Sequence, residues 1–279
     1  MKILCSFPGK HGDLLWALPT IRAIGETYGV PVDLMISPPI AGLQPLLEKQ
    51  TYIRAVHICS EWRLLDTAPV TPRKPPCVVK TEGSYERIVH LGYRAWPDPD
   101  CARHTYETAQ QSCDRPLAPH DLNRPWLIPP YELPHHDLAI GFTDEHFELK
   151  YGVRGLLVQR FPSYCEVSTS PRWLAEAGVY GSNWATAAAW IRSARVFLGC
   201  CSALHVLACA VGTPAVLMEP NPQRHATVFY PYGKTGRVRL VTGNDGQPTF
   251  DARAVRHAIQ EALDVAVSTR LEPRDAPSV

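Results

Sequence analysis

A strand–turn–helix–strand pattern over residues 195–220 is the feature that most constrains the fold of this chain. The stretch reads RVFLGCCSALHVLACAVGTPAVLMEP. A short apolar run is followed by three small residues, a helical apolar pattern, the turn Gly212-Thr213-Pro214 and a second apolar run. This order is typical of a βαβ unit, in which a helix crosses between two parallel strands. Open α/β sheets bind ligands at the carboxyl ends of their strands, which is where this unit has its first turn.

The first turn of this unit has the properties of an anion-binding site. The first N–H groups of a helix have no partner within the helix, and the helix dipole is positive at that end. Cys200, Cys201 and Ser202 form the turn, and His205 brings an imidazole to the start of the helix. The turn therefore predicts a seat for a diphosphate. A histidine in an apolar helix is also common in a protein core, so both interpretations of His205 stay open.

The chain begins with a second strand–turn–helix pattern. A strand is predicted over 2–7 and a helix over 13–28, with Gly29 placed as a helix C-terminal glycine. The turn between them contains Gly9 and Gly12, which allow the backbone to pass close to a ligand.

Three polar residues of this first turn are candidate functional groups. Asp13 stands at the helix start, where it either caps the helix or acts as a general base towards an attacking hydroxyl. His11 and Lys10 either hold an anionic acceptor or are ordinary solvated loop residues, and the solvated interpretation is favoured for Lys10.

The rest of the chain alternates between strand and helix patterns. Further strands are predicted over 32–36, 53–58, 87–91, 137–142, 155–159, 196–199 and 238–241, and further helices over 40–47, 104–112, 186–194 and 252–266. This alternation predicts an α/β protein with parallel sheets. We expect two Rossmann-like domains facing each other across a cleft, over 1–130 and 131–270. The proline-containing stretch 126–134 is the expected linker, and 271–279 is expected to be a disordered tail.

Composition excludes several classes of protein. The 279 residues carry a formal net charge of +1 and no long run of one charge, which disfavours general binding to nucleic acid or an anionic membrane. No apolar run reaches about 20 residues, so no membrane-spanning helix is expected, and the N-terminus lacks a signal-peptide pattern. The nine cysteines include no C-x-x-C pair, which favours free thiols and a cytoplasmic location.

Several familiar motifs are only partly matched. Gly233-Lys234-Thr235 resembles the end of a phosphate-binding P-loop, but Val228 stands where that motif requires glycine. Asp98-Pro99-Asp100 lies in a proline-rich loop, which disfavours a metal site of the acid-x-acid type. His135-His136 has no third ligand at metal spacing. No metal and no cofactor are therefore expected.

Two segments resemble the heptosyltransferase-like glycosyltransferases, family 9 of the sugar transferases, which have the GT-B fold. The first is KILCSFPGKHGDLLWALPTIRAI, similar to the family's opening strand, Gly-Asp turn and Leu-Pro-containing helix. The second is ARVFLGCCSALHVLACAVGTPAVLMEP, similar to the family's strand, Asp-Ser-Gly turn, His-containing helix and Gly-x-Pro strand. The stretch PNPQRHATVFYPYG, which follows, is similar to a loop that approaches the donor. Together these segments cover about a quarter of the chain.

The resemblance implies a function for each turn. It implies a nucleotide-diphosphate sugar as donor, held mainly by the C-terminal domain, and a hydroxyl acceptor against the N-terminal domain. It implies an inverting, metal-independent displacement with Asp13 as general base and Gly12, His11 and Lys10 on the acceptor side. The turn from Cys201 to His205, with the N–H groups of Ala203 and Leu204, would contact the diphosphate.

Cationic and acidic groups near the second turn complete the candidate donor site. Loss of a nucleoside diphosphate requires stabilisation of negative charge on the leaving oxygens. His205, Arg224 and Lys234 are the candidates for this role, although the last two are also typical of solvated surface residues. Glu219 follows a strand end and either binds donor hydroxyls or is a loop acid.

The chain departs from the family's pattern at the donor turn. It has no aspartate near Cys200, and Ser202 stands where the family has glycine. The basic residue that usually follows the first strand of the C-terminal domain is replaced by the run 143–145, Thr-Asp-Glu. Donor base and sugar therefore stay open, and ADP-heptose is not assumed. Two alternatives remain: a phage-type glycosyltransferase acting on modified DNA bases, and a GT-B-like nucleotide-sugar-binding protein without catalysis.

Overall fold

The fold is known from a computed structural model of the 279-residue chain. The structure describes residues 1–62, 84–92, 101–122, 124–141, 161, 163–169, 179–180, 183–200, 202–219, 236–242 and 248–271. The strand predicted over 155–159 and residues 272–279 of the predicted tail lie outside the described residues.

The described strands form two sheets. The first, in the order β3-β2-β1-β4, is parallel throughout and comprises β1 (Ile3–Phe7), β2 (Val32–Ile36), β3 (Ile53–Ile58) and β4 (Arg87–His90). The second has the order β11-β10-β9-β8-β5-β6-β7. Its strands are β5 (His136–Gly141), β6 (Tyr164–Val167), β7 (Val179–Tyr180), β8 (Ala194–Cys200), β9 (Ala215–Glu219), β10 (Gly236–Thr242) and β11 (Pro248–Phe250). Only the β10–β11 pair is antiparallel among these described strands.

Helices connect and cover the strands. In the described residues they are α1 (His11–Tyr28), α2 (Gln44–Leu47), α3 (Cys101–Ser112), α4 (Trp184–Ser193), α5 (Ala203–Val211) and α6 (Ala252–Leu271), with a 3-10 helix over Pro38–Leu43 before α2. Both α1 and α5 end on a left-handed glycine, Gly29 with φ of 69° and Gly212 with φ of 78°. Glycine adopts this conformation without the steric cost of a Cβ atom. The predicted α/β class with two Rossmann-like sheets is confirmed.

One hydrophobic core joins the two sheets. It contains Ile3 and Leu34 of the first sheet together with Phe197 and Leu217 of the second, and helices α1, α3, α4 and α5 contribute to it. A second cluster lies on the other face of the second sheet, under α6, and includes Val216 and Ile259. The predicted domain boundary at residue 130 falls between the two sheets and stays a prediction.

The predicted linker, residues 126–134, forms a strap whose first two residues are buried. Its first residue, Trp126, is 2% exposed. The N–H groups of Trp126 and Leu127 both donate to the carbonyl of Ala210 in α5, at 3.0 and 3.1 Å. On the other side the Tyr52 hydroxyl donates to the carbonyl of Trp126 at 2.7 Å. The strap therefore fastens the two halves of the chain to each other.

Some elements differ from the sequence predictions. Strands β6, β7 and β11 were not predicted, and part of the helix predicted over 40–47 is a 3-10 helix. Leu271, expected in the tail, is the last residue of α6. No helix among the described residues is both long and apolar enough to span a membrane.

The cysteines depart from expectation at one position. Six of those in the described residues are free thiols, whereas Cys59, buried after β3, is disulfide-bonded. The prediction of free thiols is therefore wrong for Cys59. The predicted cytoplasmic location stays a prediction.

Candidate functional site

Two helix N-termini meet where the sequence placed its two functional turns. Gly12 in the first turn of α1 lies against the start of α5, so that a Cβ atom on Gly12 would be 3.4 Å from the Cα atom of Ala203. The helices run in the same direction, because the Trp126 strap contacts Leu15 in α1 and Ala210 near the end of α5. The positive ends of both helix dipoles therefore point to one place.

The second turn offers donors to a ligand at this place. Ser202 is the residue before α5 and has an extended backbone, with φ of −156° and ψ of 173°. Its hydroxyl makes no cap hydrogen bond to the helix, and its buried Oγ has no hydrogen-bond partner among the described residues. A serine at this position usually accepts a bond from the first turn. The hydroxyl is thus available together with the first N–H groups of α5, those of Ala203 and Leu204.

Asp13 lies in the first turn of α1 and is half-buried. Its Oδ2 atom accepts a hydrogen bond from the N–H of Lys10 at 3.1 Å, which is the contact of a helix-capping acid. Capping thus accounts for part of its position, and its role as a base stays a prediction. Lys10 itself is exposed, as the solvated interpretation expects.

His11 does not stand free in solvent, because it contacts the other half of the chain. Its ring stacks on the indole of Trp184, the first residue of α4, with ring centroids 4.7 Å apart and an interplanar angle of 18°. Burial lowers the pKa of His11 below its usual value, so the imidazole is neutral at neutral pH. An acceptor-binding role for His11 stays a prediction.

His205 lies in the core rather than on the surface of its turn. It is 0% exposed and meets the ring of Phe197 edge-on, at 5.9 Å between centroids. The Phe197 ring fits there because two neighbouring strands have glycine beside it: a Cβ atom on Gly141 would lie 2.9 Å from that ring, and one on Gly199 would also collide with it. This placement agrees with the interpretation of His205 as a core residue. Direct contact between His205 and a diphosphate stays a prediction.

The remaining donor-side candidates are Cys201, Glu219, Arg224 and Lys234. Cys201, Arg224 and Lys234 lie outside the described residues. Glu219 is the last residue of β9, but only its backbone is described. Within the described residues no group of three His, Cys, Asp or Glu side chains is arranged to hold a metal ion.

The structure adds polar residues that the sequence did not single out. At the carboxyl edge of the first sheet the Oγ atom of Ser6 lies 2.7 Å from Nδ1 of His90, at the ends of β1 and β4. Ser37 follows β2 at the same edge and is fully buried, and its Oγ has no hydrogen-bond partner among the described residues. Their position at the carboxyl ends of short apolar strands was the signal that could have found them.

A cavity of about 390 Å³ lies away from the two turns. It is lined by the C-terminal half of α1, the residues before β2 and β3, and the Trp126 strap. Its polar lining is already paired: Arg22 donates to Glu26 at 2.8 Å, and Gln50 exchanges hydrogen bonds with the backbone of Ile128. The cavity is therefore not part of the candidate site.

Comparison with solved structures returned glycosyltransferases over the whole chain. The E. coli heptosyltransferase WaaC with ADP matches with a TM-score of 0.64 and 15% identity, covering 94% of this chain and 100% of that one. E. coli ADP-heptose LPS heptosyltransferase II matches with a TM-score of 0.58 and 16% identity, covering 97% and 100%. A glycosyl transferase of family 9 from Veillonella parvula DSM 2008 gives 0.60 and 12%, covering 95% and 97%.

No protein-family model and no curated protein matches the sequence. At 12–16% identity the matches establish architecture, and they do so across almost the full length of both partners. The chain has the GT-B-like fold of the heptosyltransferases and of family 9 glycosyltransferases.

Proposed function

We propose that this protein is a glycosyltransferase that moves a sugar from a nucleotide-diphosphate sugar to a hydroxyl acceptor. The observation that carries the proposal is the meeting of the α1 and α5 N-termini at Gly12 and Ala203, beside Ser202, whose buried hydroxyl has no hydrogen-bond partner within the described part of the chain. Two dipole ends, first-turn N–H groups and a hydroxyl donor together suit a diphosphate. The fold supports the same assignment, because a structural neighbour was solved with ADP.

The proposed reaction is a single inverting displacement. The acceptor oxygen forms a bond to the anomeric carbon from one side, while the bond from that carbon to the phosphate oxygen breaks on the other side. The electron pair leaves with the nucleoside diphosphate, where the α5 N-terminus and Ser202 would stabilise the negative charge. Arg224 and Lys234 are proposed to add positive charge, and Glu219 to bind donor hydroxyls. The displacement is proposed to proceed without a metal ion or cofactor.

Asp13 is the proposed general base. It is half-buried in the α1 turn, next to Gly12, which contacts the donor-side helix. A carboxylate at this point can accept the proton of the attacking hydroxyl as the new bond forms. The acceptor would lie on the side of the first sheet, where Lys10 and His11 belong to the same turn.

The donor half of the proposal is tested by binding of ADP, UDP and GDP, measured by titration calorimetry and thermal shift. We expect at least one of them to bind the wild type below millimolar concentration and to raise its melting temperature. Ser202→Ala should weaken that binding about 10- to 100-fold, because a hydrogen bond to a charged phosphate contributes about 1.5–3 kcal/mol.

Ser112→Ala is the matched control, since Ser112 is exposed at the end of α3 and away from both turns. It should bind as the wild type does. Absence of binding by all three nucleotides at millimolar concentration would contradict the proposed function. Equal binding by Ser202→Ala and wild type would remove Ser202 from the donor site.

A further inference from the structure

Trp184 connects the second half of the chain to the proposed acceptor turn. It is the first residue of α4 and is 8% exposed. Asn183 fixes the start of this helix, because its side chain accepts a hydrogen bond from the N–H of Thr186 at 2.9 Å. The hydroxyl of Tyr131, which lies in the strap, donates to Oγ1 of Thr186 at 2.6 Å. The indole is therefore carried by a well-anchored helix turn.

The indole contacts two segments that follow strands of the first sheet. One contact is the stack on His11, which follows β1. The other is with the 3-10 helix after β2, where a Cβ atom on Gly42 would lie only 3.2 Å from Cδ1 of Trp184. Real Cβ atoms rarely come closer than this, so the absence of a side chain at Gly42 makes room for the indole. Trp184 thus fills the space between the two strand ends.

The stacked histidine is coupled to the reacting groups by its place in α1. His11 is the first residue of that helix, Gly12 contacts the donor-side helix and Asp13 is the proposed base. A shift of the His11 ring would move this turn relative to α5. Displacements of about 1 Å at a reacting group can reduce rates by about 100-fold.

From these contacts we infer that Trp184 is a positioning residue for the transfer step. It holds the His11–Asp13 turn at the distance from the N-terminus of α5 that the transfer requires. The inference rests on the proposed function. It assigns no contact between Trp184 and substrate. It requires that loss of the indole lowers the rate of the chemical step while the donor still binds.

The experiment compares Trp184→Leu, Trp184→Phe and Gly42→Ala with the wild type. The assay follows release of nucleoside diphosphate from ADP-glucose, UDP-glucose and GDP-mannose with water as acceptor, and nucleoside diphosphate affinity is measured in parallel. Trp184→Leu should lower kcat about 10-fold with donor affinity within about 2-fold of the wild type. Trp184→Phe keeps an aromatic face and should recover most of the rate. Gly42→Ala should lower kcat in the same direction by a smaller factor.

Trp190→Leu is the matched control, because it removes a tryptophan from the same helix on the side that packs against His136. It should leave kcat unchanged even where it lowers stability. An unchanged kcat in Trp184→Leu, or equal losses in Trp184→Leu and Trp184→Phe, would overturn the inference. If Trp184→Leu fails to fold, Gly42→Ala decides alone. A wild type that neither binds nor cleaves a nucleotide sugar would overturn the proposed function and this inference together.

Discussion

At the scale of single residues, Asp13 shows how one side chain can serve two purposes. Its carboxylate accepts the N–H of Lys10, so it stabilises the start of α1 whether or not the protein is an enzyme. Asparagine caps helices about as well as aspartate but cannot accept a proton at neutral pH. Asp13→Asn therefore separates the capping role from the proposed catalytic role.

We expect Asp13→Asn to release nucleoside diphosphate from its nucleotide sugar about 100-fold more slowly than the wild type, with donor affinity nearly unchanged. Loss of the base removes the proton acceptor that acts during transfer. It leaves the donor-binding turn at the start of α5 intact. Steady-state kinetics and calorimetry on the same preparation measure both quantities.

Asp251 provides the control for this change, because it also caps a helix: its Oδ1 atom accepts the N–H of Arg253 at 2.8 Å at the start of α6. Asp251→Asn should keep full turnover. If Asp13→Asn keeps it as well, Asp13 is only a capping residue.

The sequence alone identified residues whose role follows from their neighbours along the chain. Gly29 was predicted as the helix C-terminal glycine and has the left-handed conformation that this role needs. Trp184 was missed as a partner of His11 because the two lie in different halves of the chain, and no local pattern joins them. The burial of His205 was left open for the same reason, since it depends on Phe197 and on two glycines in adjacent strands.

At the scale of elements, Pro19 explains why the strap is attached to α1 where it is. Proline has no N–H, so Pro19 cannot donate to the carbonyl of Leu15 one turn earlier. The indole N–H of Trp126 donates to that carbonyl instead, at 3.0 Å. A break in the helix hydrogen bonding thus becomes the attachment point for a distant segment.

This substitution of one donor for another predicts coupling between the two residues. Trp126→Phe should lower the free energy of unfolding by about 1–3 kcal/mol beyond the cost of the smaller ring, because it leaves a buried carbonyl without its donor. Pro19→Ala restores the backbone N–H at position 19. The same tryptophan change should therefore cost less in a Pro19→Ala background.

Urea unfolding of the four proteins in this double-mutant cycle measures the coupling energy. We expect a value of about 1 kcal/mol. Additive effects of the two substitutions would show that a backbone N–H at position 19 does not replace the indole donor.

Element prediction succeeded where apolar patterns are long or strongly periodic. The bounds predicted for β2 and β3 are those observed. The missed strands are short: β6 has four residues, β7 has two and β11 has three. Such segments are ordered by the neighbouring strands rather than by their own sequence.

At the scale of the whole molecule, the two sheets share one hydrophobic core. Residues of both sheets and of α1, α3, α4 and α5 belong to one continuous cluster, and the strap crosses it. Neither half can unfold without exposing apolar surface of the other. The sequence predicted the two sheets from their repeated patterns, but it could not show that their cores merge, since this depends on contacts between distant helices.

We therefore expect a single cooperative unfolding transition. Calorimetry of the protein without ligand should give one peak, and tryptophan fluorescence and far-ultraviolet circular dichroism should share one urea midpoint. Two separated transitions, one for each sheet, would contradict the shared core.

The parallel packing of α1 and α5 has an energetic consequence. Two helix dipoles that lie side by side with their positive ends together repel each other, so this packing carries an unfavourable electrostatic energy at Gly12 and Ala203. An anion that settles between these ends removes the repulsion and gains its own attraction at the same time. Ligand binding and stability of the fold therefore depend on the same charges at these helix ends. Dissolved salt screens those charges, so it weakens the attraction between this site and a negatively charged donor.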